Sequence, residues 1–156
     1  MKQVESHPDR EDFSYYMKIP TRWGDNDMLG HVNNVIYYRF IEAIVVRFVM
    51  DEIGIDWLKD PVSPRAVESL CRFHRSVSFP TEIEAALRVE HIGRTSVRFE
   101  VALFEATRKS PVATGYLVEV FVDSESQQPT PINAFHKSIL QSYSKNGGRR
   151  SAAPAN

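Results

Sequence analysis

A long apolar run directly after a polar, turn-rich loop constrains the fold of this chain more than any other feature. The loop spans residues 22–34 and carries Asp25, Asp27 and His31, and the apolar run spans residues 35–49. At about 100° per residue, the run places its apolar side chains on one broad helical face and leaves only a narrow polar stripe. Such a helix needs burial on most sides, so the rest of the chain is expected to cover it.

Size and charge exclude several classes of protein. A chain of 156 residues fits one domain with a substantial core. A formal net charge of -1 indicates neither a nucleic-acid partner nor an anionic-membrane surface. The single Cys71 excludes an internal disulfide and a cysteine metal cluster. The amino-terminal residues lack a secretory apolar core, and the apolar run is shorter than the roughly 20 residues of a membrane span, so a soluble, cytoplasmic protein is expected.

Alternating apolar and polar residues predict five strands around the helix. One strand precedes the helix and four follow it, which predicts an α+β fold with a curled antiparallel sheet wrapped around a long central helix. A modest terminal helix is expected near Leu140. Residues 1–12 are predicted to be a flexible amino terminus, residues 13–143 a single domain, and residues 144–156 a disordered tail. The predicted strands are residues 13–19, 67–79, 83–89, 97–103 and 112–122.

The loop before the helix carries groups that suit attack on a carbonyl. Asp27 lies a few residues before Asn33 and Asn34, and either asparagine can cap the helix. The first N–H groups of a helix have no intrahelical acceptor and favour negative charge, so a thioester carbonyl placed there would have its developing oxyanion stabilised. Asp27 is then a candidate nucleophile or general base, and the residues leave both roles open.

The same segment resembles a known family. Residues 25–34, which read Asp-Asn-Asp-Met-Leu-Gly-His-Val-Asn-Asn, are followed by Tyr37 and Glu42 on the helix. This pattern resembles the hotdog-fold thioesterases of the 4-hydroxybenzoyl-CoA thioesterase type. Weaker similarity at Phe79-Pro80 and residues 92–96 extends the resemblance over most of the chain. It implies hydrolysis of an acyl-coenzyme A thioester by a hotdog domain, with no metal or organic cofactor.

The resemblance also implies roles for individual residues. Asp27 matches the catalytic carboxylate, and the backbone N–H of Asn34 matches the group that polarises the thioester. Active sites in this family are shared across a dimer, so both chains can supply contacts. The residues matched to substrate binding are His31, Asn33, Tyr37, Arg94, Thr95 and Ser96, of which the last three match contacts to the nucleotide end of coenzyme A.

Structural roles compete with these assignments. A loop aspartate often forms a turn, and a loop histidine such as His31 often binds neighbouring backbone. Tyr37 also suits a core position, and Arg94 suits an ordinary hairpin turn. Glu42 is either a second acid or base, or the partner of Arg39 on the next turn.

Other functions were weighed against coenzyme A ester hydrolysis. An acyl carrier protein substrate would require an exposed basic surface, for which the candidates are Arg72, Arg75, Arg88 and Arg94. A non-catalytic acyl-binding module would not need Asp27. A metal site from Asp25, Asp27 and His31 has too few and too loosely spaced ligands, and the loop does not resemble that of a hotdog dehydratase.

Long edge strands predict self-association. An edge strand leaves backbone donors and acceptors unpaired, and pairing with a second copy removes them. A homodimer or homotetramer is therefore expected, with an acyl-coenzyme A as the small-molecule partner.

Overall fold

The computed structural model describes residues 6–145, and its five strands form one antiparallel sheet around a long helix. The order of strands across the sheet is β1-β3-β4-β5-β2, so β1 and β2 are the edges. The predicted α+β class and hotdog architecture are confirmed. The elements are β1 Tyr15–Pro20, α1 Asn34–Phe48, β2 Val62–Phe73, β3 Glu82–Ile92, β4 Ser96–Glu105, β5 Ala113–Asp123 and α2 Ala134–Ser142.

One face of α1 supplies the centre of the core. Phe40, Ile44 and Phe48 are at most 1% exposed and pack against apolar residues on the inner face of the sheet. The prediction that the helix is buried on most sides is wrong for Tyr38, which is 40% exposed, and for Val35, which is 71% exposed. The sheet of one chain ends at β2 and leaves this side of the helix uncovered. Within residues 6–145, no helix has the length and apolar character needed to cross a bilayer.

β2 lies earlier in the chain than predicted. It spans Val62–Phe73, whereas residues 67–79 were expected to form it. Pro64 is tolerated inside β2 because an edge strand pairs on one side only. A bulge at Val67 interrupts the register and shifts the alternation of side chains. Residues 74–79 instead form a loop beside α1, in which the Val77 carbonyl accepts a hydrogen bond from Val32 N at 2.8 Å.

The segment before β1 lies against the outer face of the sheet. Arg10–Asp12 forms a short 3-10 turn. The Arg10 guanidinium donates to the carbonyl oxygens of Glu105 at 3.0 Å and Arg108 at 2.9 Å. These contacts join Arg10 to the sheet. Of the segments predicted to be flexible or disordered, residues 6–12 and 144–145 are described, and residues 1–5 and 146–156 lie outside the described residues. Phe13 completes the contact by packing with Ala86, Ala102 and Phe104.

Candidate active site

Backbone hydrogen bonds give the loop between β1 and α1 a closed shape. The N–H of Asp27 donates to the His31 carbonyl at 2.9 Å, and the N–H of Gly30 donates to the Asp27 carbonyl at 3.1 Å. Gly30 has a φ of 79°, a left-handed conformation that glycine adopts at little cost. The Asn33 N–H closes the loop on the Asp25 carbonyl at 2.9 Å. As a result, the Asp27 carboxylate lies beside the first turn of α1.

Asn33 is the cap of α1 and also contacts Asp27. Its Oδ1 accepts a hydrogen bond from Val35 N at 3.0 Å, and its Nδ2 donates to Asp27 Oδ2 at 3.3 Å. The other carboxylate oxygen, Asp27 Oδ1, accepts from Leu29 N at 2.8 Å. The Asn33 side-chain amide therefore orients both the start of α1 and the Asp27 carboxylate. Of the two asparagines that could cap the helix, Asn33 is the cap.

A cavity of about 290 Å³ opens at this end of α1 and contains the main predicted groups. Asp27, His31, Asn34 and Tyr37 all line it. Asn34 is the first residue of α1, and its N–H has no hydrogen-bond acceptor within the described part of the chain. Asp27 and the first residue of α1 thus line one cavity, at a helix end where the dipole favours negative charge.

Tyr37 is both a core residue and a lining residue of the cavity. Its side chain is 2% exposed, and its ring meets Phe73 edge to face with centroids 5.2 Å apart. Burial raises the pKa of the Tyr37 hydroxyl, which keeps it protonated at neutral pH. His31 lies at the exposed rim of the same cavity.

Asp25 connects the loop to the helix. Its side chain is fully buried, and both carboxylate oxygens accept hydrogen bonds from Arg39 Nη2, at 2.9 and 3.0 Å. Arg22 contributes a second ion pair at 3.2 Å. Pairing with Arg39 was one of the two roles considered for Glu42; in the structure Arg39 instead pairs with buried Asp25. No group of three metal-binding side chains occurs among residues 6–145.

Arg94, Thr95 and Ser96 lie at the opposite end of the sheet from Asp27. They form the β3–β4 turn, where the Thr95 carbonyl accepts from Phe121 N at 2.8 Å. Ser96 pairs with Val120, whereas Ala113 pairs with the cavity residue Phe73. At roughly 3.3 Å per residue along β5, the two regions are about 23 Å apart. One chain therefore does not bring the predicted nucleotide contacts to the cavity.

The four arginines considered for a carrier-protein surface do not form one basic patch. Arg88 is 8% exposed, and its Nε pairs with Glu100 at 2.5 Å beneath the covering amino-terminal segment. Arg75 pairs with Glu105 at 3.8 Å. Arg72 is exposed, but Arg94 lies at the distant turn.

A buried carboxyl group on β5, which the sequence pattern did not single out, lies near Glu42 of α1. Glu119 is 4% exposed on the inner face of β5, and its Oε2 has no hydrogen-bond partner among the described residues. Burial and, after it, the charge of Glu42 raise the pKa of the Glu119 carboxyl to about 7, against a lowering effect of Arg65. Glu119 lies between Leu117 and Phe121 in the set of alternate β5 residues that face the core. A glutamate at one of these inward positions was the sequence signal that could have identified it.

Comparisons with known proteins identify the family. Residues 21–140 match the model of the Thioesterase-like superfamily. The crystal structure of the PA5185 protein from Pseudomonas aeruginosa PAO1 is 35% identical, covers 93% of this chain and 100% of that chain, and has a TM-score of 0.85. A thioesterase from Thermus thermophilus, complexed with coenzyme A and Zn, is 23% identical over 90% of this chain and 99% of that chain, with a TM-score of 0.76. Uncharacterized protein YsmA of Bacillus subtilis is 26% identical over 117 residues, 75% of this chain and 78% of that protein.

The chain therefore belongs to the thioesterase-like superfamily, and thioester hydrolysis is the class of reaction that this membership assigns to it. The resemblance to hotdog-fold thioesterases is confirmed. The loop, the cap and the first turns of α1 all lie inside the matched residues. The narrower 4-hydroxybenzoyl-CoA type and the roles of single residues stay predictions.

Proposed function

We propose that the protein hydrolyses acyl-coenzyme A thioesters to a carboxylic acid and free coenzyme A, with Asp27 as general base or nucleophile. The observation that supports this most directly is that Asp27 and Asn34 line one cavity and that the Asn34 N–H has no hydrogen-bond acceptor among the described residues. The N–H would stabilise the oxyanion that forms at the thioester carbonyl. One such donor is worth roughly 10²–10³ in rate.

The two roles of Asp27 lead to the same products. As a base, Asp27 accepts a proton from water while the water oxygen attacks the carbonyl carbon; the carbon–sulfur bond then breaks, and the leaving thiolate takes up a proton. As a nucleophile, Asp27 forms an acyl anhydride as the thiolate leaves, and water then hydrolyses the anhydride. Leu29 N and Asn33 Nδ2 each use one lone pair of the carboxylate, so each oxygen keeps capacity for a further contact.

Coenzyme A as carrier and a homodimer or homotetramer as the active form belong to the same proposal. The coenzyme A complex of the Thermus thermophilus thioesterase supports this carrier. In this proposal Arg94, Thr95 and Ser96 of the partner subunit contact the nucleotide, as the family resemblance with active sites shared across a dimer implies. The proposal needs no metal and no organic cofactor. A carrier-protein substrate is less well supported, since the four arginines do not form one surface.

A thiol-release assay with short, long and aromatic acyl-coenzyme A esters tests the proposal. The native protein should release thiol, and Asp27→Asn should lose at least about a hundredfold in kcat while keeping its melting temperature. Glu125→Gln, which changes an exposed carboxylate in a distant turn, is the matched control and should behave as native. Turnover that survives in Asp27→Asn would reject Asp27 as the catalytic group, and no turnover with any ester would reject the substrate class.

A further inference from the structure

Two aromatic side chains close the inner end of the cavity. Tyr37 is almost fully buried and contacts Phe40 behind it, with ring centroids 6.2 Å apart, and Phe73 beside it at 5.2 Å. The Tyr37 and Phe73 rings meet edge to face, a favourable arrangement, whereas the Tyr37 and Phe40 rings are tilted by 56°. Phe73 differs from the other two because it is 44% exposed. Buried Tyr37 therefore forms the floor of the cavity, and the partly exposed Phe73 forms an aromatic wall.

Small side chains lie beyond that wall. On β2, Cys71 and Ser69 have the same inward phase as Phe73, and they pair with Gly115 and Leu117. Gly115 has no side chain, and Ser69 is exposed. The space over Gly115 is taken by Ile41 of α1, whose Cδ1 would lie 3.0 Å from a Cβ at that position. The volume that a longer acyl group could gain on this side is therefore the volume of the Phe73 ring itself.

We propose that Phe73 sets the size of the acyl group, so that the site accepts short or single-ring acyl groups and excludes long chains. This inference rests on the proposed function. A volume of about 290 Å³ lies at the small end of ligand sites, which typically enclose about 300–1,000 Å³. The same space must also hold the thioester carbonyl near Asn34. A long chain would have to displace the Phe73 ring, because buried Ile41 and Leu117 fill the space beyond it.

The test compares Phe73→Ala with native protein on acetyl, butanoyl, benzoyl, decanoyl and palmitoyl esters of coenzyme A. The ratio of kcat/KM for decanoyl over butanoyl should rise at least about tenfold in the variant, the size of effect that pocket volume produces elsewhere. Phe135→Ala removes an aromatic side chain that is 68% exposed on α2, and it should leave the ratio unchanged. A uniform loss with every ester, an unchanged ratio, or a native protein that prefers palmitoyl would overturn the inference.

A second variant and a binding measurement keep the test valid if Phe73→Ala is unstable or if no ester is hydrolysed. Phe73→Leu keeps most of the buried volume and should give an intermediate ratio if Phe73→Ala is unstable. Binding of non-hydrolysable S-butyl and S-decyl thioethers of coenzyme A should shift towards the longer chain in both variants. A shift in binding without any native turnover would reject only the hydrolysis proposal. Turnover with unchanged chain selection would reject only the role of Phe73.

Discussion

At the scale of single residues, the candidate site depends on how one amide group is shared. Asn33 Oδ1 accepts the hydrogen bond that caps α1, while Nδ2 holds Asp27 Oδ2. The neighbouring Asn34 contributes its backbone N–H, which no side chain can replace. Two adjacent asparagines therefore have different functions, and only one of them depends on the chemistry of its side chain.

Substituting Asn33 by aspartate separates capping from the contact with Asp27. Asn33→Asp keeps a good cap but replaces the donor by a second carboxylate beside Asp27. Like charges disfavour ionisation of the pair, so kcat/KM at neutral pH should fall at least about tenfold and the pH at which activity appears should move upward. Asn133→Asp makes the same change at the cap of α2 and should leave the pH profile of hydrolysis unchanged. Coincident profiles of Asn33→Asp and native protein would contradict this role of Asn33.

At the scale of elements, the loop and α1 are joined by a buried ion pair. The buried Asp25 carboxylate forms ion pairs with Arg39 of α1 and with Arg22 at the start of the loop. Asp25 is the buried member of both ion pairs, whereas the Arg39 and Arg22 side chains are 39% and 63% exposed and keep access to water when the carboxylate is removed. Asp25 and Asp27 are thus predicted to differ in kind, one acting on stability and the other on turnover.

Parallel amide substitutions test this difference. Asp25→Asn should destabilise the protein by about 1–2 kcal/mol, which lowers the melting temperature by roughly 3–6 °C, because the hydrogen bonds from Arg39 Nη2 and Arg22 N to the buried carboxylate are weakened. Asp27→Asn should melt within about a degree of native protein. Thermal denaturation followed by circular dichroism makes the comparison. Equal melting temperatures for Asp25→Asn and native protein would show that the ion pair is dispensable.

Glu119, between β5 and α1, predicts a pH dependence of stability. Its pKa is raised from 4.5 to about 7 in the folded protein, chiefly by burial. The folded state then binds a proton that the unfolded chain releases, so the free energy of unfolding should fall as pH rises from about 4.5 to about 7. Glu42 and Arg65 are the charged groups that act on this carboxyl.

Glu119→Gln should remove this dependence. Relative to native protein, the variant should be more stable at pH 8 than at pH 5, by up to about 3 kcal/mol, because the amide stays neutral at both pH values. Urea denaturation at the two pH values measures the difference, with Glu125→Gln as an exposed control. If the free energy of unfolding of the variant differed from that of native protein by the same amount at pH 5 and pH 8, Glu119 would ionise freely in the folded protein.

At the scale of the whole molecule, one chain leaves two surfaces incomplete. β2 is an unpaired edge, and the adjoining face of α1 exposes Val35 and Tyr38. The nucleotide-binding residues predicted at the β3–β4 turn are far from the cavity of the same chain. A second copy that pairs along β2 would cover the first surface and is the proposed source of the missing contacts.

A charged substitution on this face should disrupt both assembly and activity. Native protein should sediment as a dimer or tetramer, and Tyr38→Lys should shift it towards monomer and lower turnover, because a buried charge opposes association. Leu58→Lys changes a residue that is 95% exposed in the connection after α1 and should leave both properties unchanged. A native monomer with full turnover would contradict the proposed assembly.

The sequence by itself determined the features that depend on nearby residues. The apolar face of α1, the turn-forming loop, the presence of an asparagine cap and the alternation in β3–β5 all arise from contacts a few positions apart, and these features were sufficient to predict the fold class. The motif around Asp27 was also local, which is why Asp27, His31, Asn34 and Tyr37 line one cavity. A short-range pattern can be read directly because chain geometry sets which side chains share a face.

Only the tertiary structure decided the features that join distant parts of the chain. A bulge at Val67 interrupts the register of β2 with β5. Arg39 forms its ion pair with Asp25 and not with Glu42 on its own helix. The amino-terminal segment covers Arg88 and accepts a hydrogen bond from it. The same holds for the distance between Asp27 and Arg94, which depends on how the strands pair. These outcomes depend on competition between local and long-range partners for the same charges and backbone groups, and spacing along the chain does not reveal which partner is closer in space.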